Sequence, residues 1–254
     1  MSTPSPPTEG NPRLLDPSEL GTKDYWNKAY TLELSNHTTA PEDEGTIWFD
    51  ESNAEDAVCK LLDRLEEEGH FERAMARVLD LGTGNGHMLF TLREEGYEGE
   101  LVGVDYSATS VELARRIEEA RQLDDGMGVR FEEWDMLVQP PGDWCGRGGF
   151  DVVLDKGTFD AISLMPREDG EEPVSDVYRR TAVGLVKTNG VLVVTSCNWT
   201  KEELCGWLAP AEGGLEFLQE AKYPSFRFGG RTGQSVVTIA FRKKSATLED
   251  HELI

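Results

Sequence analysis

The sequence predicts an α/β fold, a Rossmann-like seven-stranded, mostly parallel sheet with an antiparallel C-terminal hairpin and helices on both faces. Three observations predict it. Apolar strand-like runs alternate with helical stretches, and the intervening connections are as short as a parallel sheet requires. The first of these runs, Arg77-Val-Leu-Asp-Leu-Gly-Thr-Gly-Asn-Gly-His-Met88, ends in an acid, opens into a glycine turn and starts a helix. The last two, 215–222 and 235–242, flank a turn-rich segment with no helix in it, so they pair as a hairpin.

Each element follows from its own residues. Residues 1–20 are too poor in apolar groups to offset the entropy of ordering and read as a disordered arm. Thr22 is an N-cap for Lys23-Asp-Tyr-Trp-Asn-Lys-Ala-Tyr30, where Trp26, Ala29 and Tyr30 share one helical face; this helix reads as a lid. Ser52-Asn-Ala-Glu55 has the spacing of a capping box, and Ala57, Val58, Leu61, Leu62 and Leu65 follow as an apolar stripe. Strand one spans 76–81, and its helix runs from 86 until Gly96 stops it. Strand two is 100–105, and Ser107 caps a helix that turns Val111, Ala114 and Ile117 to the sheet. Strand three (129–134), the loop 140–149, strand four (150–154), a helix near 173–187 and strand five (190–196) complete the parallel part. Residues 21–244 thus form a single domain whose N-terminal helices act as lids, and 245–254 are a tail.

A chain of 254 residues supports one large core. Its 48 acids against 25 bases give a net charge of -23, which argues against nucleic acid as the main partner and favours a basic protein surface. A charge that only keeps the protein soluble would look the same. Acids concentrate over 42–68, opposed there only by Lys60 and Arg64. Cys59, Cys145, Cys197 and Cys205 form no C-x-x-C pair and have no histidine at zinc spacing, which suits reduced thiols in the cytoplasm and no bound metal. No stretch reads as a signal peptide or a membrane span, and a monomer is expected.

Ligands of open α/β sheets bind outside the carboxyl ends of the strands. Those ends carry Asp80 with Gly82 to Gly86, Asp105 with Tyr106, Trp134 with Asp135, Asp155 with Lys156, and Ser196 with Asn198 and Trp199. The glycine spacing departs from G-x-G-x-x-G, since His87 stands three after Gly84, and Asp80 would repel a pyrophosphate. A nucleoside with a positively charged amino-acid portion fits better. Asp80 can assist its ammonium through water or backbone, Asp105 accepts from the two ribose hydroxyls, Asp135 accepts from the adenine amino group, and Trp134 or Met136 packs on the ring. That cofactor is S-adenosylmethionine. Asp155 then lies where an amine nucleophile would arrive, to orient it or relay its proton. Burial beside a sulfonium lowers an amine's pKa from about 10.4, so no strong base is required. Tyr25, Trp26, Tyr30, Trp48, Phe159, Trp199 and Phe226 are candidate faces for a cationic product, or core aromatics. Lys156 reads as an ion-pair partner, His87 as a structural residue near the cofactor's amino-acid part, and the acids at 168, 169, 171 and 172 as a docking face or a solvated loop.

Gly21-Thr-Lys-Asp-Tyr-Trp26, Leu79-Asp-Leu-Gly-Thr-Gly-Asn-Gly86, Leu154-Asp-Lys-Gly-Thr-Phe-Asp-Ala-Ile162, Thr195-Ser-Cys-Asn-Trp-Thr-Lys-Glu-Glu-Leu204 and Phe228-Gly-Gly-Arg-Thr-Gly-Gln-Ser235 together resemble the eukaryotic elongation factor 1-alpha lysine methyltransferases of the seven-β-strand type. The resemblance spans about 21–242 and implies a cytoplasmic class I methyltransferase that modifies one lysine of that basic translation factor. It implies cofactor contacts from Asp80, Gly82, Gly84, Asp105, Tyr106, Trp134, Asp135 and Asp155, with the Tyr25-Trp26 helix closing the pocket. With neighbouring positions the expected cofactor set also takes in Trp26, Tyr30, Thr83, Ser107 and Met136, and the expected catalytic set is Asp155, Asn198 and Trp199. A small-molecule methyltransferase and a non-catalytic binding module with the same sheet are the alternatives.

Overall fold

The computed structural model describes residues 14–121, 128–166, 170, 172–223, 226–228, 231–233 and 235–245. Its strands are β1 (Val78–Leu81), β2 (Leu101–Asp105), β3 (Arg130–Glu133), β4 (Phe150–Lys156), β5 (Val186–Ser196), β6 (Leu215–Glu220), β7 (Phe226–Phe228), β8 (Arg231–Gly233) and β9 (Val237–Lys243). Its helices are α1 (Lys23–Thr39), α2 (Ala54–Glu67), α3 (His87–Glu94), α4 (Ala108–Arg121), α5 (Thr158–Ser163), α6 (Val174–Leu185) and α7 (Lys201–Leu208). Seven strands make one sheet in the order β3-β2-β1-β4-β5-β9-β6, and β7 and β8 pair with each other outside it. The five strands β1 to β5 run parallel, while β9 lies antiparallel between β5 and β6. All five parallel carboxyl ends therefore meet on one edge, with the chain reversing its direction of travel between β1 and β4.

Side chains alternate across this sheet and feed two cores. Val78, Val152, Leu154, Val191 and Val193 face α2, α3 and α4, where Leu61, Leu65, Leu89, Phe90 and Ile117 cover them. Leu79, Leu81, Val153, Leu192 and Val194 face α5, α6 and α7, against Phe159, Tyr178, Ala182 and Leu204. The same parity decides where each strand-end acid points. Asp80 and Asp105 follow the first face, whereas Asp155 follows Val153 onto the second.

Most expected elements are present with edges shifted by one to three residues. Two depart further: α1 runs on past Tyr30 to Thr39, and strand five begins at Val186, because the β4–β5 register slips between Phe150 and Val152 and absorbs the turn at Asn189, whose φ is 65°. The Thr22 hydroxyl does accept from the Tyr25 N–H, at 3.4 Å. The capping box at Ser52 does not form. Helix α2 starts from Asn53 in a left-handed conformation with no side-chain cap, Ser52 faces Ser235, and Glu55 is turned to His87. Residues 14–20, expected within the arm, lie against the domain: the Ser18 N–H donates to Leu164 O at 3.1 Å, and Glu19–Gly21 forms a 3-10 turn. The arm before residue 14 and the tail after 245 lie outside the described residues.

Gly21 seats this strap. An ideal Cβ there would lie 2.2 Å from the Leu164 carbonyl oxygen, a backbone atom that cannot swing aside. Gly21→Ala is accordingly expected to accelerate amide hydrogen exchange over residues 18–26 by about tenfold, with the exchange of the central strands unchanged. Parental exchange over that segment would show that the contact does not fix the strap.

Candidate active site

A cavity of about 310 Å³ runs across the strand tips. Its floor at β1 is the glycine turn, where Gly82, Gly84 and Gly86 have φ of 65°, 58° and 81°. Gly84 is required twice over. Its backbone is left-handed, and an ideal Cβ would sit 2.6 Å from the Tyr30 hydroxyl, so the turn lets α1 close directly onto it. Asp105 ties the turn to the next helix. One of its oxygens accepts from the Gly84 N–H at 3.1 Å, the other from the Ser107 N–H at 2.9 Å, and the Ser110 hydroxyl donates to Gly84 O at 2.7 Å. Burial raises the Asp105 carboxyl, and the N–H groups of Ser107 and Gly84 oppose that. Each oxygen keeps a lone pair for a donor in the cavity it lines.

At β3 the cavity ends in Trp134, Asp135, Met136 and Leu137. Trp134 is fixed by its indole N–H to Pro140 O at 3.0 Å and by an edge contact with Trp144 at 5.1 Å. Asp135 accepts from the Leu137 N–H at 3.2 Å and still faces the cavity. Above, α1 supplies Lys23, Trp26 and Tyr30: Trp26 donates to Leu20 O at 2.7 Å, and the Lys23 ammonium sits 5.0 Å from the Tyr106 ring centre. An acid with free lone pairs between a polar-edged aromatic pocket and a bare glycine turn fits an adenosine with an amino-acid tail.

The opposite half lies at the tips of β4 and β5 and is lined by Lys156, Gly157, Thr158, Asp160, Cys197 and Asn198, with Trp48 and Phe49 across from them. Asp160 accepts from the Ser196 hydroxyl at 2.5 Å and the Cys197 N–H at 2.8 Å; the same hydroxyl accepts from the N–H groups of Asn198 and Trp199, each at 3.1 Å. Burial raises the Asp160 carboxyl against these bonds. Cys197 is exposed, yet partial desolvation and then the Asp160 carboxylate beside it push its thiol up to about 12, which keeps it protonated and no nucleophile. Phe49 has a φ of 66°, a left-handed conformation that costs a side chain about 1–2 kcal/mol.

Of the residues expected at the site, Trp26, Tyr30, Gly82, Thr83, Gly84, Asp105, Tyr106, Trp134, Asp135, Met136 and Asn198 line the cavity, and Asp80, Ser107, Asp155 and Trp199 do not. Asp155 is turned into the second core. Its carboxylate accepts from Thr158 N at 2.9 Å, from Phe159 N at 3.0 Å and from the Tyr178 hydroxyl at 2.5 Å, and burial pushes it up to about 7. A group so engaged caps α5 and anchors α6; the geometry does not aim it at an amine. Trp199 packs between Phe159 and Trp207, and Ser107 serves through its backbone. Burial likewise pushes Asp80 up to about 7, in a cluster with Glu55 and Lys156. Glu55 pairs with His87 at 2.7 Å and Lys156 at 3.5 Å; burial alone would raise it, but these partners hold it below the usual range. His87 is therefore structural, and Lys156 is paired with an acid. Phe49 and Asp160 reach the site without having been picked out in the sequence. The acids at 168, 169 and 171 and the side chain of Phe226 lie outside the described residues, and Glu172 pairs with Arg180 at 2.6 Å.

Comparison with known proteins agrees with this geometry. Residues 72–229 match a family model described as a methyltransferase domain. The chain is 42% identical to protein-lysine N-methyltransferase EFM4 of Saccharomyces cerevisiae, over 91% of this chain and 97% of that one. It is 36% identical to EEF1A lysine methyltransferase 2 of Homo sapiens, over 89% and 88%. The fold also matches magnesium protoporphyrin IX methyltransferase of Synechocystis, solved with bound S-adenosylmethionine, with a TM-score of 0.54 and 14% identity over 85% of this chain and 97% of that one.

Proposed function

The chain belongs to the EFM4 and EEF1A lysine methyltransferase 2 family of protein-lysine N-methyltransferases, and on that premise we propose that it methylates a lysine of elongation factor 1-alpha. The extent of the likeness carries the reading. Only 9% of the chain falls outside the match to EFM4, too little to leave out either half of the cavity. The net charge of -23 suits a basic protein substrate. Free Cys59, Cys145, Cys197 and Cys205 support a reducing compartment, the cytoplasm.

When bound, S-adenosylmethionine supplies a methyl group that passes to nitrogen while the carbon–sulfur bonding pair stays on sulfur. Asp105 would hold the ribose hydroxyls, Asp135 the adenine amino group, and Trp134 and Met136 the ring, with the backbone of Gly82 to Gly84 against the amino-acid part. Those contacts leave the β4–β5 half to the target lysine. There Asp160, which lines this half while Asp155 does not, takes over the role expected of Asp155: its carboxylate is buried and bonded to Ser196 and Cys197, and its remaining lone pairs, with the Asn198 side chain, can accept hydrogen bonds from the amine and align it. Trp48, Phe49 and Met165 shed water around that nitrogen and favour its neutral, nucleophilic form.

Incubating the purified chain with labelled S-adenosylmethionine, elongation factor 1-alpha and a metabolite extract tests the assignment. Mass spectrometry is expected to find successive methyl increments on one lysine of the factor. Label confined to the small-molecule fraction would replace the protein substrate with a metabolite.

A further inference from the structure

The acceptor half of the cavity has an aromatic wall whose rings neither core accounts for. Trp48 is exposed at the mouth, with its ring edge-on to Trp26 at 5.1 Å, and Phe49 is half-buried beside it; neither belongs to the two cores. Yet the backbone there is fixed with care. The Phe49 carbonyl accepts from the N–H groups of Ser52 at 3.1 Å and Ala54 at 3.3 Å, which holds its left-handed turn, and the Trp48 carbonyl accepts from the Lys156 ammonium at 3.1 Å. The result is a ring laid over Gly157, so close that an ideal Cβ on that residue would come within 2.8 Å of it. Strained backbone persists only where its surroundings over-determine it, and here it places an aromatic ring on the cavity wall.

Resting on the lysine-methylation reading, we propose that Trp26, Trp48 and Phe49 form a binding site for the methylated ammonium of the product, and that this site sets how many methyl groups are added before release. Each round breaks one sulfur–carbon bond, forms one nitrogen–carbon bond, leaves the bonding pair on sulfur and hands one ammonium proton to water. The nitrogen's charge is the same after every round, but each methyl replaces an N–H that water would have bound. Desolvation onto aromatic faces thus becomes cheaper with methyl count, as in the recognition of quaternary ammonium groups. Lys156, which lines the same half, has its charge paired by Glu55 and does not oppose the incoming cation.

The test uses the full chain saturated with S-adenosylhomocysteine and titrated with Nε-trimethyl-lysine amide or lysine amide, followed by tryptophan fluorescence and NMR. The parent is expected to prefer the trimethylated probe by about tenfold. In Trp48→Leu and Phe49→Leu that preference should fall to about twofold, and the product on elongation factor 1-alpha should shift to lower methyl states. Trp48 lies outside both cores, so its variant answers the question even where Phe49→Leu melts early. No preference in the parent, or a parental preference in Trp48→Leu, overturns the proposal. Preference for the trimethylated probe without methylation of the factor would leave the aromatic site standing and remove the protein substrate; methylation without preference would do the reverse.

Discussion

Asp105→Ala is expected to weaken S-adenosylmethionine binding by about two to four orders of magnitude in a protein that still folds. Two hydroxyl donors on one buried carboxylate are worth about 1.5–3 kcal/mol each, because one partner is charged and water is excluded. The side chain does a second job. It holds the Gly84 and Ser107 N–H groups, so alanine also frees the glycine turn from the start of α4. Asp105→Asn separates the two effects: it keeps an acceptor but loses the charge, and its affinity should fall between parent and alanine. Calorimetry with S-adenosylhomocysteine reads all three proteins without turnover. Equal affinity in Asp105→Ala and the parent would remove the ribose from this end of the cavity, and with it the assignment of the adenine to Trp134 and Asp135.

The place of Asp105 in the cavity was legible because it depends on local order: an acid closing the strand after a glycine turn must lie beside that turn in a parallel sheet. Trp134 and Asp135 were legible for the same reason, one strand further out. Asp155 looked equivalent, yet strand parity sends it to the opposite face, and parity tells nothing until the helices are assigned to faces. Tyr178, which claims it, is 23 residues away on α6. Asp160 was hidden because it lies in the first turn of α5, past the strand tip where site residues were sought. Phe49 left no trace at all. Its left-handed backbone and its contact with Gly157 are tertiary facts, and the Gly-Thr step after Lys156 reads as an ordinary helix start until the ring above it is seen. The failed capping box at Ser52 has a similar cause: Glu55 gains more from His87 and Lys156 than from the helix terminus.

Asp155→Ala is expected to destabilise the fold by about 3 kcal/mol, lowering Tm by about 6–12 °C, because the Tyr178 hydroxyl and two N–H groups at the start of α5 lose a buried acceptor. The conservative variant shows what the charge does. Burial pushes the folded-state pKa up to about 7, against about 3.9 in an unfolded chain. Below about pH 4 both states hold the proton and the stabilising contribution is complete. As pH rises towards 7 the unfolded chain releases the proton first, and about 4 kcal/mol is lost by the time the folded state follows. An asparagine side chain cannot titrate, so Asp155→Asn should gain on the parent steadily between about pH 4 and 7. Asp80 has the same elevated pKa, but it is present in both proteins and cancels in the comparison. Parallel melting curves across that range would contradict the buried, proton-holding role. A parental Tm in Asp155→Ala combined with lost turnover would return the residue to the chemistry, and Asp160 would then be the structural acid of the pair.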